Sequence, residues 1–459
     1  MKAVVAGGGF AGLAAALALA RAGHEVTLLE RDVVSADVAP QDAFAVDRRG
    51  IPHFFQPHAF LPRGRRELLL LAPDVLDSLL SAGAEPQDLS TKLRGPRDPG
   101  DDELVFVWAR RPLIEWALRR AVAAEPAVEL RQGTTVAGLV VEGARATGVA
   151  VAGGDVVRAD LVVDALGRYR PPRGWHRPVG AEAECGALYY CRYFRLRDGV
   201  EHMEPIGGTP LNPRGDLGYM GFNTFRGDNR TYSIIFLVPT FDRELRALRD
   251  ETAWMAAART MSPLDTMTSP DYGEPITDVM PMGGLLNVDR TTEPAASGVA
   301  AVGDAFCHTD PAFAWGLSFS LAHARAVAEA TEDATDGADA AARYRDAVAA
   351  EARERFALAV ATDDARTRRW QGEPLDFTRR DGSYPLFSFA AALAAASHDD
   401  LVLRRTIRRI GALDRTAVFD GDDEVQTRIE QIVGRLFGDG APPPAGPPRD
   451  ELLRLIATS

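Results

Sequence analysis

The stretch "VVAGGGFAGLAAALALARAGHEVTLLERD", Val4 to Asp32, constrains this chain more than any other. A short β-rich run leads into glycines, an Ala/Leu-rich segment of helical composition follows, and Gly23 stops it before a second β-rich run, "HEVTLLERD". Gly7, Gly9 and Gly12 therefore fall at G-x-G-x-x-G spacing between a strand and a helix, the context a dinucleotide-binding loop requires. Gly7 permits the tight turn, Gly9 lets the backbone approach a diphosphate, and Gly12 lets the helix pack on the strand. The diphosphate would sit beside Phe10 and Ala11, where free N–H groups and the helix dipole favour negative charge. Glu30, followed by Arg31, ends the second strand, where a carboxylate can accept both hydroxyls of an adenosine ribose. An acid there favours a plain ribose over a 2′-phosphate, so the nucleotide is NAD or FAD rather than NADP.

The rest of the composition narrows the partners. A chain of 459 residues predicts two or three domains. The net charge of −13 argues against nucleic acid or an anionic membrane surface as partner. Cys185, Cys191 and Cys307 have no C-x-x-C spacing and cannot all pair, so a reducing, cytoplasmic setting is expected and no metal site. The N-terminal apolar run has the outline of a signal peptide, but Gly7, Gly8 and Gly9 interrupt it and a strand follows. No segment has the length of uncharged apolar sequence that a membrane span needs.

Four pieces that follow the glycine loop, in order, decide between NAD and FAD: "RRGIPHFFQPHAFLPRGRRELLLLAPDVLDSLLSAGA" from Arg48 to Ala84, "RRPLIEWAL", "ADLVVDALG" and "VAAVGDAF". Together they resemble the FAD-dependent monooxygenase superfamily of the para-hydroxybenzoate hydroxylase fold, over about residues 1–330. That resemblance implies an α/β fold: a Rossmann-like FAD-binding domain, an inserted antiparallel-sheet substrate domain, and a C-terminal helical region. The boundaries it gives are 1–184 with 278–330 for the FAD domain, 185–277 for the substrate sheet and 331–459 for the helices. Three β-rich runs, "ALYYCRYFRLR", "LGYMGFNTFRG" and "RTYSIIFLVPTF", alternate as a half-buried antiparallel sheet does. "DGAPPPAGPPRD" reads as a Pro-rich surface linker.

By the same resemblance, Asp304 after Gly303 holds the ribityl chain, Arg111 faces the diphosphate or ribityl, and Asp164 and Gly167 lie near the cofactor. The flavin ring is implied near "DPAFAWGLS", with Pro311, Gly316 and Leu317 in the family's P-x-x-G-x-G region. Ala314 stands where the pattern has its first glycine, and Trp315 follows it. The implied chemistry uses NAD(P)H as reductant and O2 as co-substrate: reduced flavin adds O2 at C4a and passes one oxygen to an arene or alkene. "RRGIPHFFQPHAFLPRG" resembles bacterial hydroxylases and epoxidases of natural-product pathways, which implies a hydrophobic small-molecule substrate. Phe54, His58, Tyr190, Phe222 and Trp315 are the candidate pocket residues. No histidine is assigned a proton-transfer role, and no triad or carboxylate pair stands out as catalytic. Three alternatives remain: a reductase similar to the geranylgeranyl reductases, a flavin halogenase, and a flavoprotein without activity. The halogenase pattern needs a lysine and a W-x-W-x-I-P segment; the chain has only Lys2 and Lys92 and lacks that segment.

Overall fold

The computed structural model describes residues 1–168, 171–172, 175–203, 211–373, 385–438 and 445–458, with only the helical backbone described for 385–388. The β-rich runs flanking the glycine loop form strands Lys2–Ala6 and Glu25–Leu29, joined by helix Phe10–Arg21. They sit in a five-stranded parallel sheet in the order Val299–Ala301, Leu161–Asp164, Lys2–Ala6, Glu25–Leu29, Val128–Arg131. One edge strand thus comes from far along the chain, so the sheet closes only after the intervening sequence has folded out and returned. Both faces are covered, as parallel sheets require. Helices Phe10–Arg21, Arg111–Ala124 and Trp315–Glu332 bury one face around Leu13, Leu17, Ile114 and Leu321. The antiparallel ribbon of strands Val136–Glu142, Arg145–Val151 and Val156–Arg158 covers the other through Val149 and Val157 against Val4 and Val162.

A six-stranded antiparallel sheet lies beyond, with Ala187–Leu196, Thr231–Pro239 and Gly221–Arg226 at its centre. It is not half-buried as its sequence alternation predicts: every residue of Thr231–Pro239 is buried. The reason is a second layer. Helix Glu251–Ala258 packs its Trp254 against Phe194 and Phe236 on the outer face, while the inner face carries Tyr189, Cys191 and Leu237 into a cluster with Trp370.

The C-terminal part is helical. Helix Gly337–Trp370 runs alongside Trp315–Glu332, and helices Asp400–Ile410 and Asp423–Phe437 gather around Trp108 and Trp315. The last helix, Arg449–Ala457, returns to the outer face of the antiparallel sheet through Leu452 and Ile456. The first half of the Pro-rich linker, 439–444, lies outside the described residues; Pro447, in its second half, accepts from the Tyr219 hydroxyl at 2.8 Å.

Candidate functional site

The loops leaving the carboxyl ends of the parallel strands converge on a cavity of about 810 Å³. That edge is where open α/β sheets bind their ligands. Gly7, Gly9, Phe10, Ala11, Glu30, Arg31, Gly167, Gly303 and Asp304 line its near end. Ile51 to His53, Gln56 to His58, Pro311, Ala312 and Ala314 to Leu317 form its middle, and the inner face of the antiparallel sheet borders it with Tyr189, Phe225, Ile235 and Leu237.

The glycine loop is shaped by close approach. Gly7 has φ of +103°, and a Cβ there would fall 2.5 Å from the Ala165 carbonyl oxygen. A Cβ on Gly12 would fall 1.8 Å from the Gly7 oxygen, so Gly12 packs helix on strand and does not itself face the cavity. Gly9 is the N-cap of Phe10–Arg21 and has no side-chain cap, which leaves first-turn N–H groups turned to the cavity.

Glu30 is 5 % exposed, with Oε2 accepting from Gly8 N–H and Oε1 from Asp32 N–H, both at 2.8 Å. Oε1, which accepts only once, keeps a lone pair for a ribose hydroxyl. Arg48, which the sequence does not single out, is buried under this loop and donates to Glu30 Oε2 at 3.3 Å and to the Gly8 carbonyl at 3.2 Å. Arg119 donates to the same carbonyl at 3.4 Å. Two guanidiniums thereby hold the Gly8 oxygen away from the cavity. Burial, with Arg48 beside it, lowers the Arg119 pKa. Arg48 Nε and Nη1 are buried without a hydrogen-bond partner. Arg111 reaches the cavity with its Nε held by Glu115 at 2.7 Å. An uncapped helix N-terminus, an orienting arginine and a ribose-facing carboxylate fit the diphosphate and ribose of FAD, with Arg48 supporting the loop from beneath.

His53, His58 and His308 line the middle of the cavity. His58 Nδ1 lies 2.7 Å from the Gln56 carbonyl, which can only accept, so Nδ1 carries the hydrogen and Nε2 is an acceptor. Burial and the nearby Arg111 push His58 down to about 3, and burial lowers His53 and His308 as well. Deeper in, His323 Nδ1 accepts the Gly303 N–H at 3.1 Å, and burial pushes that imidazole down to about 4. This bond ties helix Trp315–Glu332 to the turn that presents Asp304.

Ala314 adopts a left-handed conformation, φ +54°, as the residue before that helix. This is sparsely populated for a residue with a Cβ. Trp315 lines the cavity at 6 % exposure, stacked on Phe313 at 4.3 Å, with the Arg355 guanidinium 5.1 Å from its ring.

Besides Gly12, four of the sequence candidates face elsewhere. Asp164 is 1 % exposed and turns into an ion pair with Arg177, whose Nε lies at 2.5 Å, while the following Ala165 to Gly167 border the cavity. A buried carboxylate at a strand end needs a charged partner, and Arg177 supplies it. Tyr190 and Phe222 point into the outer cluster around Trp254. Strand side chains alternate, so their neighbours Tyr189 and Asn223 face the cavity instead. Phe54 borders a separate small recess with Trp116 and Ala43.

A profile described as FAD dependent oxidoreductase matches residues 2–39. The chain is 33% identical over 181 residues to a 6-methylpretetramide 4-monooxygenase of Streptomyces rimosus, covering 37% of this chain and 39% of that one. It is 45% identical over 91 residues to a D-amino acid dehydrogenase of Xanthobacter autotrophicus, covering 19% and 20%. The matches thus span about a fifth and two-fifths of those relatives' lengths. Among solved structures, the flavin-dependent brominase Bmp2 covers 95% of this chain and 99% of its own at 17% identity and TM-score 0.60. The probable FAD-dependent monooxygenase PqsL of Pseudomonas aeruginosa covers 81% and 98% at 18% identity and TM-score 0.58. A 2-methyl-3-hydroxypyridine-5-carboxylic acid oxygenase covers 84% and 97% at 18% identity and TM-score 0.55. From its glycine loop to the sheet that closes the cavity, the chain has the fold of the FAD-dependent monooxygenases of the para-hydroxybenzoate hydroxylase type.

Proposed function

We propose that this chain is an FAD-dependent, NAD(P)H-driven monooxygenase that transfers one oxygen atom of O2 to a hydrophobic aromatic or alkene small molecule. The observation that carries the reading is a single cavity running from the diphosphate cradle at Gly9 to the apolar wall of Phe225, Ile235 and Leu237. Bound there, FAD would supply the redox chemistry that links NAD(P)H to O2. The chain's own residues do the rest. Gly9, Glu30, Arg111 and Asp304 would hold the cofactor, with Arg48 bracing the glycine loop, and the segment Pro311–Leu317 would border the flavin. The apolar wall excludes water from the reacting region, which protects a reactive oxygen species from hydrolysis. The neutral His58 offers an acceptor for one hydroxyl or N–H of a bound ligand and brings no charge. The partial match to a monooxygenase supports this reading.

The brominase likeness raises halogenation as the second reading. Neither Lys2 nor Lys92 borders the cavity, so among the described residues no amine is available there. The test supplies NADH or NADPH, 18O2 and a panel of polycyclic aromatics and alkenes to the FAD-loaded chain. One labelled oxygen per product is expected. Turnover that gives only unlabelled, reduced or halogenated product overturns the reading.

A further inference from the structure

We propose that Asp363 is a positioning residue for the loop Asp310–Gly316: it stands protonated beside Asp310, and that single proton keeps the loop in place. The inference rests on the reading above in that this loop borders the flavin.

Asp310 is 1 % exposed and is the anchor of the loop. Its Oδ1 accepts from the Tyr189 hydroxyl and from Ala312 N–H at 2.9 Å, which caps the turn Pro311–Phe313. Its Oδ2 accepts from Arg366 Nη2 at 2.7 Å. That nitrogen also donates to the Cys185 carbonyl at 2.8 Å, so both of its hydrogens are used. Asp363 Oδ1 lies 2.9 Å from the same nitrogen, yet it is buried with no hydrogen-bond partner. Asp363 Oδ2 accepts from Asn287 Nδ2 at 2.7 Å, and Asn287 Oδ1 accepts the Asp310 N–H at 2.8 Å.

Two buried carboxylates thus meet around one guanidinium. Like charges in a dry site cannot both ionise, and the oxygen without a donor is the one that takes the proton. A protonated Asp363 then donates to Asp310, which remains the anion that Arg366 and Tyr189 need. Burial and Asp310 push Asp363 up to about 8, while Arg366 holds Asp310 low against the effect of burial. The other titratable groups facing the pair, Tyr189, Cys185 and His308, are kept neutral by burial, which raises the first two and lowers the imidazole. Cys185, Asp310 and Asp363 also approach within 4.8 Å, the spacing of a metal site. The Arg366 guanidinium touches both carboxylates and already takes the cation's place.

The test compares the wild-type chain with Asp363→Asn, which keeps an acceptor for Asn287 and a donor for Asp310 but cannot ionise. In the unfolded chain the Asp363 carboxyl titrates near 3.8 and in the folded chain near 8. Folding therefore takes up a proton between those values, and wild-type stability falls as pH rises through that window. The Tm of Asp363→Asn relative to wild type should climb from pH about 4 to about 8 and stay level above. A difference independent of pH overturns the shared proton. In the wild type alone, an infrared carboxylic-acid band that vanishes above pH about 8 is expected, and its absence at neutral pH overturns the same point. For positioning, FAD release followed by flavin fluorescence should rise several-fold above pH about 8 in the wild type and stay flat in Asp363→Asn. Equal release profiles overturn the positioning role. A chain that shows the Tm pattern but takes up no FAD overturns the proposed function and the positioning role together, and leaves the shared proton standing.

Discussion

At the scale of single residues, the glycine loop carries the sharpest expectations. Gly12→Ala places a methyl 1.8 Å from the Gly7 oxygen, so backbone has to move. A cost of about 1–3 kcal/mol or more is expected, read as a lower Tm together with loss of bound FAD. Asp304→Ala removes a carboxylate that borders the cavity. Losing one charged hydrogen bond costs about 1.5–3 kcal/mol, so FAD should bind about 10- to 100-fold more weakly in a fluorescence titration. Full retention would remove Asp304 from the cradle. These residues were legible because the spacing of Gly7, Gly9 and Gly12 has few physical uses between a strand and a helix. Arg48 was not. It sits beside Arg49 in "DRRGIP", and nothing local separates them, yet the side chain of one is 1% exposed and that of the other 86%. The fold makes that distinction by placing Arg48 beneath Gly8.

At the scale of elements, strand parity decides what faces the ligand. The sequence shows aromatic residues on both faces of "ALYYCRYF", so alternation alone could not tell Tyr189 from Tyr190. Only the helix carrying Trp254 on one side and the cavity on the other assigns them. The assignment predicts a separation of effects. Leu237→Ala should change which substrates are turned over, because Leu237 lines the cavity. Phe222→Leu should lower Tm with substrate preference retained, because Phe222 packs in the outer cluster. The two outcomes reversed would mean that the sheet register places the wrong face inward. The loop before helix Trp315–Glu332 was legible in part. "DPAFAWG" marks the place of the ring, but the left-handed Ala314 and the stack of Phe313, Trp315 and Arg355 depend on helix Gly337–Trp370, far along the chain.

At the scale of the whole molecule, the cavity is built by regions that are distant in sequence. The parallel sheet supplies the cradle, the antiparallel sheet the wall, and the C-terminal helices the backing for Trp315. Trp315→Gly empties a buried site shared by cavity and helices. A loss of about 3–5 kcal/mol is expected by analogy with other buried tryptophan truncations, with altered substrate preference in the variant that survives. Unchanged stability, turnover and preference would take Trp315 out of the pocket wall. The architecture was readable from four motifs in order. The ion pair of Asp164 with Arg177 and the network around Asp310 were not, because each joins residues that only the folded chain brings together.

What the reduced, FAD-loaded protein does with oxygen decides whether it is a monooxygenase. Stopped-flow absorbance after mixing it with oxygenated buffer is the most direct measurement. The apolar wall of Phe225, Ile235 and Leu237 predicts a transient spectrum, distinct from both reduced and oxidised flavin, that decays faster when a hydrophobic substrate is bound. Direct return to the oxidised spectrum, with and without such substrates, would contradict the monooxygenase reading and favour a reductase on the same fold.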